Sequence, residues 1–139
     1  MPCASFSRLN MKVLVTCRLP DEIVALIKGE HQVEINREFR PMARKDLLNS
    51  VGDREGLLCT VTEQIDEELL ERAPCLRMIA NYGVGYDNID LNAATARGIP
   101  VSNTPGVLTN ATADITFALI LAVARRVVEG DRRTREGQF

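Results

Sequence analysis

Gly83-Val84-Gly85 directly follows an apolar run and is the strongest candidate in the sequence for binding chemistry. Glycine leaves the backbone uncovered. Successive N–H groups of such a turn can therefore point into one concavity and hold an anion. A side chain at Gly83 or Gly85 would block that approach. The same spacing also suits a plain tight turn ahead of a helix. It is not the dinucleotide fingerprint, because the third glycine of GxGxxG falls at position 88, which is Asn88. None of the other glycines completes the pattern. A second candidate lies at the head of a long apolar segment, where Thr109, Asn110 and Thr112 offer hydroxyl and amide groups. Residues of these types cap helices, and they can also face a ligand there.

Metal and thiol chemistry are thinly supplied. His31 is the one histidine, and Cys3, Cys17, Cys59 and Cys75 contain no CxxC pair. That inventory does not make a zinc site, so no metal is expected. Cys17 and Cys59 sit in apolar, strand-like runs, where a free cysteine packs as a small hydrophobe. This usage points to a reducing, cytoplasmic setting. The arginines at 125, 126, 132, 133 and 135 read as a solvated helix end, favourable to the dipole, with a phosphate contact as the alternative.

The elements that must position these groups alternate along the chain. Strands are expected at 12–17, 31–36, 56–60, 76–80 and 99–102. Helices are expected at about 20–28, 44–51, 65–72, 90–96 and 110–128. Asp90 caps the fourth helix, and Arg97-Gly98 closes it. Short strands alternating with short helices mean βαβ units and a parallel sheet covered on both faces. Five strands predict a flavodoxin-like, doubly wound α/β fold of order 2-1-3-4-5. Ligands in such sheets bind beyond the carboxyl ends of the strands. The loop after strand one, Arg18-Leu-Pro-Asp21, lacks the Ser/Thr/Gly density of a flavin phosphate loop. Strand three ends in Cys59-Thr60, without a phospho-receiver's acidic residue. Both uses of the fold are disfavoured. The last helix is apolar nearly all round from Ile115 to Ala124. A helix of that kind must be covered by another domain or subunit.

Composition bounds the partners. The chain has 139 residues, 45% of them hydrophobic and 26% charged, as in an ordinary soluble domain with a real core. A net charge of −2 and 4% aromatics do not suit nucleic-acid binding. The longest near-continuous apolar run, the ten residues from Ile115 to Ala124, is about half a membrane span. No signal peptide is read at the N-terminus. Residues 1–10 read as a leader or tail, 11–104 as the flavodoxin-like domain, and 105–139 as a crossover plus a helix that belongs to a neighbouring domain.

Three stretches taken together resemble the D-isomer-specific 2-hydroxyacid dehydrogenases. They are Asn81-Tyr-Gly-Val-Gly-Tyr-Asp-Asn-Ile-Asp90, Ala96-Arg-Gly-Ile-Pro-Val-Ser-Asn-Thr-Pro-Gly106, and Thr109 through Ala124. The likeness covers about residues 11–139 and is nearest in look to glyoxylate/hydroxypyruvate reductases and phosphoglycerate dehydrogenases. It implies a substrate domain that works with an NAD- or NADP-binding Rossmann domain to reduce a small 2-keto acid to a D-2-hydroxy acid. It implies that the N–H groups of Val84 and Gly85, beside Gly83, hold the substrate carboxylate. It also implies that Thr109 lies near the nicotinamide and that the complete enzyme is a homodimer. Asp114 stands where the family has Glu, with a shorter reach. The family's GxGxxG turn, ribose-reading acid, substrate-binding Arg, acidic partner and catalytic His are not among these 139 residues, and His31 is not promoted to that role. No catalytic residue is expected in this chain, which reads as an N-terminal portion inactive by itself. The competing reading is a non-catalytic module that binds a small carboxylate and oligomerises through its apolar helix.

Overall fold

Apolar β-branched runs too short for helices pair as strands, and the intervening segments, apolar on one side, fold as helices over them. The computed structural model describes residues 10–138. The leader reading, Asn10 apart, falls outside the described residues. The elements are β1 (Lys12–Val15), α1 (Asp21–Glu30), β2 (Gln32–Ile35), α2 (Arg44–Ser50), β3 (Gly56–Thr60), α3 (Glu67–Arg72), β4 (Met78–Tyr82), α4 (Leu91–Ala96), β5 (Val101–Ser102), α5 (Thr109–Ala124) and α6 (Val127–Arg135). The sheet runs β2-β1-β3-β4-β5, every pair parallel, as the sequence predicts.

The pleat sorts the side chains. Leu14, Leu57, Cys59 and Ile79 pack on one face under Leu47, Leu69, Leu70 and Ala94 of α2, α3 and α4. Val13 and Val15 face the other way, towards Val24 of α1, with Leu58 beside them. This alternation is the period of two expected of strands. Two helix starts are capped by carboxylates: Asp90 as the sequence predicts, and Asp66, which the sequence reading places inside its helix. Asp66 accepts from the Leu69 N–H at 3.1 Å, and Asp90 accepts from the Ala93 N–H at 2.8 Å.

Several bounds differ from expectation: β1 ends at Val15, β5 begins at Val101, α1 runs on to Glu30 and α3 begins at Glu67. Two further differences have a clear physical reason. β4 starts two residues later than predicted and continues through Asn81 and Tyr82, because Cys59 and Thr60 of β3 pair with them. Leu76 instead serves the turn before β4, buried against the core. The predicted single helix from 110 to 128 is two helices. Arg126 adopts a left-handed conformation (φ 50°) that breaks the run, and its guanidinium closes on Glu129 with bonds of 2.7 and 2.6 Å.

The chain divides into two compact units between Pro105 and Gly106. The second holds α5 and α6. No residue of α5 is buried, although Ile115, Phe117, Leu119, Ile120, Leu121 and Val123 lie on it.

Candidate functional site

The glycine loop leaves the carboxyl end of β4, and its carbonyls are all engaged. Asn81 is 2% exposed, and its side chain turns into the loop, where Nδ2 donates to the Gly85 carbonyl at 2.6 Å. The Cys59 thiol donates to its Oδ1 at 3.5 Å. Asn103 Nδ2 donates to the Val84 carbonyl at 2.8 Å, and the Thr104 N–H donates to the Gly83 carbonyl at 3.0 Å. The Gly83 N–H turns back to the Asn81 carbonyl at 2.9 Å. The N–H groups of Val84 and Gly85 donate to no partner among the described residues. The loop is thus held by its oxygens and presents two adjacent donors. Such a pair can take the two oxygens of one carboxylate through charge-assisted bonds.

The two glycines serve different needs. A Cβ on Gly83 would stand 2.4 Å from Cγ1 of Val61, so the close approach of the β3 tail requires glycine there. Neither glycine has a positive φ. A Cβ on Gly85 would meet its nearest neighbour, Asp87 Oδ2, at 3.8 Å, an ordinary contact. What keeps Gly85 bare is not the chain's own packing. Beyond the loop, Asn88 Nδ2 donates to the carbonyls of Thr60 and Glu63, each at 3.0 Å, and Ile65 bridges to Ile89. The β3 and β4 tails are therefore fastened together on the far side of the glycines.

Thr109 opens α5, with its N–H directed to the Gly106 carbonyl at 3.4 Å. The expected side-chain capping by Thr109, Asn110 or Thr112 is not found: Leu108 occupies the cap and no side chain bonds there. His31 lies at the opposite, amino end of the sheet, where its Nδ1 accepts from the Met11 N–H at 3.4 Å. Among the described residues no group of three or more His, Cys, Asp and Glu is placed to hold a metal. No helix among them is long and apolar enough to cross a membrane. Asn81 and Asn103 are the parts of the site that the sequence reading missed. An amide at the end of an otherwise apolar strand is the signal that could have found Asn81.

A parallel 2-1-3-4-5 sheet defines a flavodoxin-like domain, with two N–H donors open in the loop beyond β4. Residues 13–136 match the catalytic domain of the D-isomer specific 2-hydroxyacid dehydrogenases, and the chain belongs to that family. It is 50% identical over 131 residues to a glyoxylate reductase of Pyrococcus furiosus, covering 94% of this chain and 39% of that protein. The crystal structure of the TT0316 protein from Thermus thermophilus superposes with a TM-score of 0.82 at 48% identity, covering 93% of this chain and 42% of that one. A Polaromonas protein described as a D-isomer specific 2-hydroxyacid dehydrogenase, NAD-binding, gives a TM-score of 0.80 at 34% identity, covering 94% of this chain and 41% of that one. The chain spans about two-fifths of the length of the curated relatives it matches.

Proposed function

We propose that the Val84–Gly85 loop holds the carboxylate of a small 2-keto or 2-hydroxy acid. The chain then supplies the substrate-binding part of an NAD(P)-linked D-2-hydroxyacid oxidoreductase, with glyoxylate or hydroxypyruvate as the 2-keto acid. The observation that carries this reading is the pair of open N–H donors in a loop whose carbonyls are all engaged. A charge-assisted hydrogen bond contributes about 1.5–3 kcal/mol. Two of them therefore suit a weakly held metabolite rather than a permanently bound group. Loop position supports the reading too, since ligands of such sheets bind beyond the strands' carboxyl ends.

The residues present do not form a dinucleotide cradle, because no glycine run completes GxGxxG. The role proposed for this chain's own residues is to bind and orient the acid. Thr109 is assigned to the neighbourhood of the nicotinamide, with the main cofactor contacts made by a Rossmann unit. The exposed apolar surface of α5 suits burial against such a unit or in a homodimer.

The test is a titration of the isotopically labelled chain with glycolate and glyoxylate, followed by amide NMR. Saturable shifts centred on Val84 and Gly85 are expected. Gly85→Ala should remove them while leaving the unfolding midpoint unchanged, because the chain itself has room for that methyl. The chain alone should not oxidise NADH or NADPH with glyoxylate. Turnover by it, or unshifted Val84 and Gly85 amides at saturating acid, overturns the proposal.

A further inference from the structure

A cleft of about 650 Å³ opens elsewhere, beyond the carboxyl ends of β1 and β3, where the strand order reverses. Its walls are the β1 tail running into the start of α1, the turn after β2, the β3 tail and, from β4, Tyr82, which precedes the glycine loop. Asn36 ties the first two together, with Nδ2 donating to the carbonyls of Thr16 and Arg40 at 3.0 Å each. None of Gly83, Val84 and Gly85 lines it.

Three groups in these walls lack partners. Arg18 stacks over the Phe39 ring, 4.3 Å from its centroid, and makes no ion pair among the described residues. The neighbouring Arg40, by contrast, is closed on Glu38. Thr16 is wholly buried, and its hydroxyl has no hydrogen-bond partner. Glu63 is 4% exposed. Its Oε2 accepts from the Thr60 N–H at 2.8 Å and the Thr60 hydroxyl at 2.7 Å, whereas its Oε1 has no donor. Buried polar atoms without partners are rare, and a buried carboxylate oxygen without a donor is costly.

We propose that this cleft is a second ligand site, for a small carboxylic acid that carries a hydrogen-bond donor beside its carboxylate. The Arg18 guanidinium takes the carboxylate, and Glu63 Oε1 takes the hydrogen of the ligand's hydroxyl or ammonium group. A phosphate is disfavoured, because the same lining holds a buried carboxylate and only one cation without an ion pair among the described residues. Hydroxy acids and amino acids share the required chemistry. The cleft adjoins the glycine loop through Tyr82, but Arg18, Glu63 and Thr16, which carry the proposal, are not part of that loop.

The experiment is an amide NMR titration of the full chain with glycolate, glycine and acetate, repeated on Arg18→Gln, Glu63→Gln and Gly85→Ala. Glycolate or glycine should shift the Thr16 and Arg18 signals saturably, with acetate at least tenfold weaker. Arg18→Gln should weaken binding at least tenfold. In Glu63→Gln the amide oxygen can still accept from Thr60, so the wall stays intact, but the preference over acetate should vanish. In Gly85→Ala the Thr16 and Arg18 shifts should persist. The proposal fails if every acid moves only Val84 and Gly85, if acetate binds as well as glycolate and glycine, or if Arg18→Gln binds as the parent does.

Discussion

Gly83→Ala tests the account of the loop most directly. Carbon atoms in contact settle at about 3.5–4.0 Å. The added Cβ would sit 2.4 Å from Val61 Cγ1, so about 1 Å of relief must come from somewhere. If Val61 yields, it must leave its preferred χ1, which a β-branched residue resists; an off-rotamer side chain costs about 0.5–1.5 kcal/mol. If the backbone yields instead, the cost approaches the general figure for overpacking, about 1–3 kcal/mol. The expected loss is therefore about 1–2 kcal/mol, since Val61 is half exposed and has room to move. Urea unfolding of the parent chain, Gly83→Ala, Val61→Ala and the double variant measures it. Removing the Val61 methyls should restore most of the loss, giving a coupling of about 1 kcal/mol or more, where independent sites add within about 0.3–0.5 kcal/mol. Amide NMR of Gly83→Ala should show displaced Val84 and Gly85 signals if the backbone gives way, and parent-like signals if Val61 does. A double variant whose losses simply add would refute the steric argument for Gly83, as would a Gly83→Ala chain of unchanged stability.

Three further perturbations probe the supports of the site. Asn81→Ala removes the donor to the Gly85 carbonyl from a residue 2% exposed, and should cost about 1–3 kcal/mol in urea unfolding, with faster hydrogen exchange across 82–86. Asp66 responds to pH. Partial burial works to raise its pKa, but the Arg44 guanidinium at 2.6 Å and the Leu69 N–H hold the carboxyl below its usual value. A depressed folded pKa gives stability that is present above about pH 4, the unfolded value, and is lost as pH falls through the folded pKa. Asp66→Asn keeps a capping side chain, so the stability gap between it and the parent should shrink as pH is lowered from 7 to below the folded pKa; a gap independent of pH contradicts the assignment. Burial, reinforced by the charge of Glu63, pushes the Cys59 thiol up to about 12, so iodoacetamide at pH 8 should modify Cys59 only in urea, as read by peptide mapping.

The fold was legible where local patterns decide it and opaque where distant partners do. β3 was read to the residue, and Asp90 was read as a cap, because a short apolar run and a helix start declare themselves locally. The end of β4 was not, because its last two residues are strand only by pairing with Cys59 and Thr60, twenty-two positions earlier. That misplacement hid Asn81: read as a loop residue it is unremarkable, whereas at a strand end, 2% exposed, its amide must find partners. The break at Arg126 gave no signal either, since an arginine pair suits a helix interior and no proline or glycine marks the turn. The glycines show the same division. Their spacing suits an anion loop or a plain tight turn, but does not tell that Gly83 answers to Val61 while Gly85 is free of steric demand within the chain. A position that the fold leaves free to carry a side chain, beside two N–H groups that the fold leaves without partners, is where the proposed carboxylate site can be probed. Gly85 is thus the residue at which binding and stability can be separated.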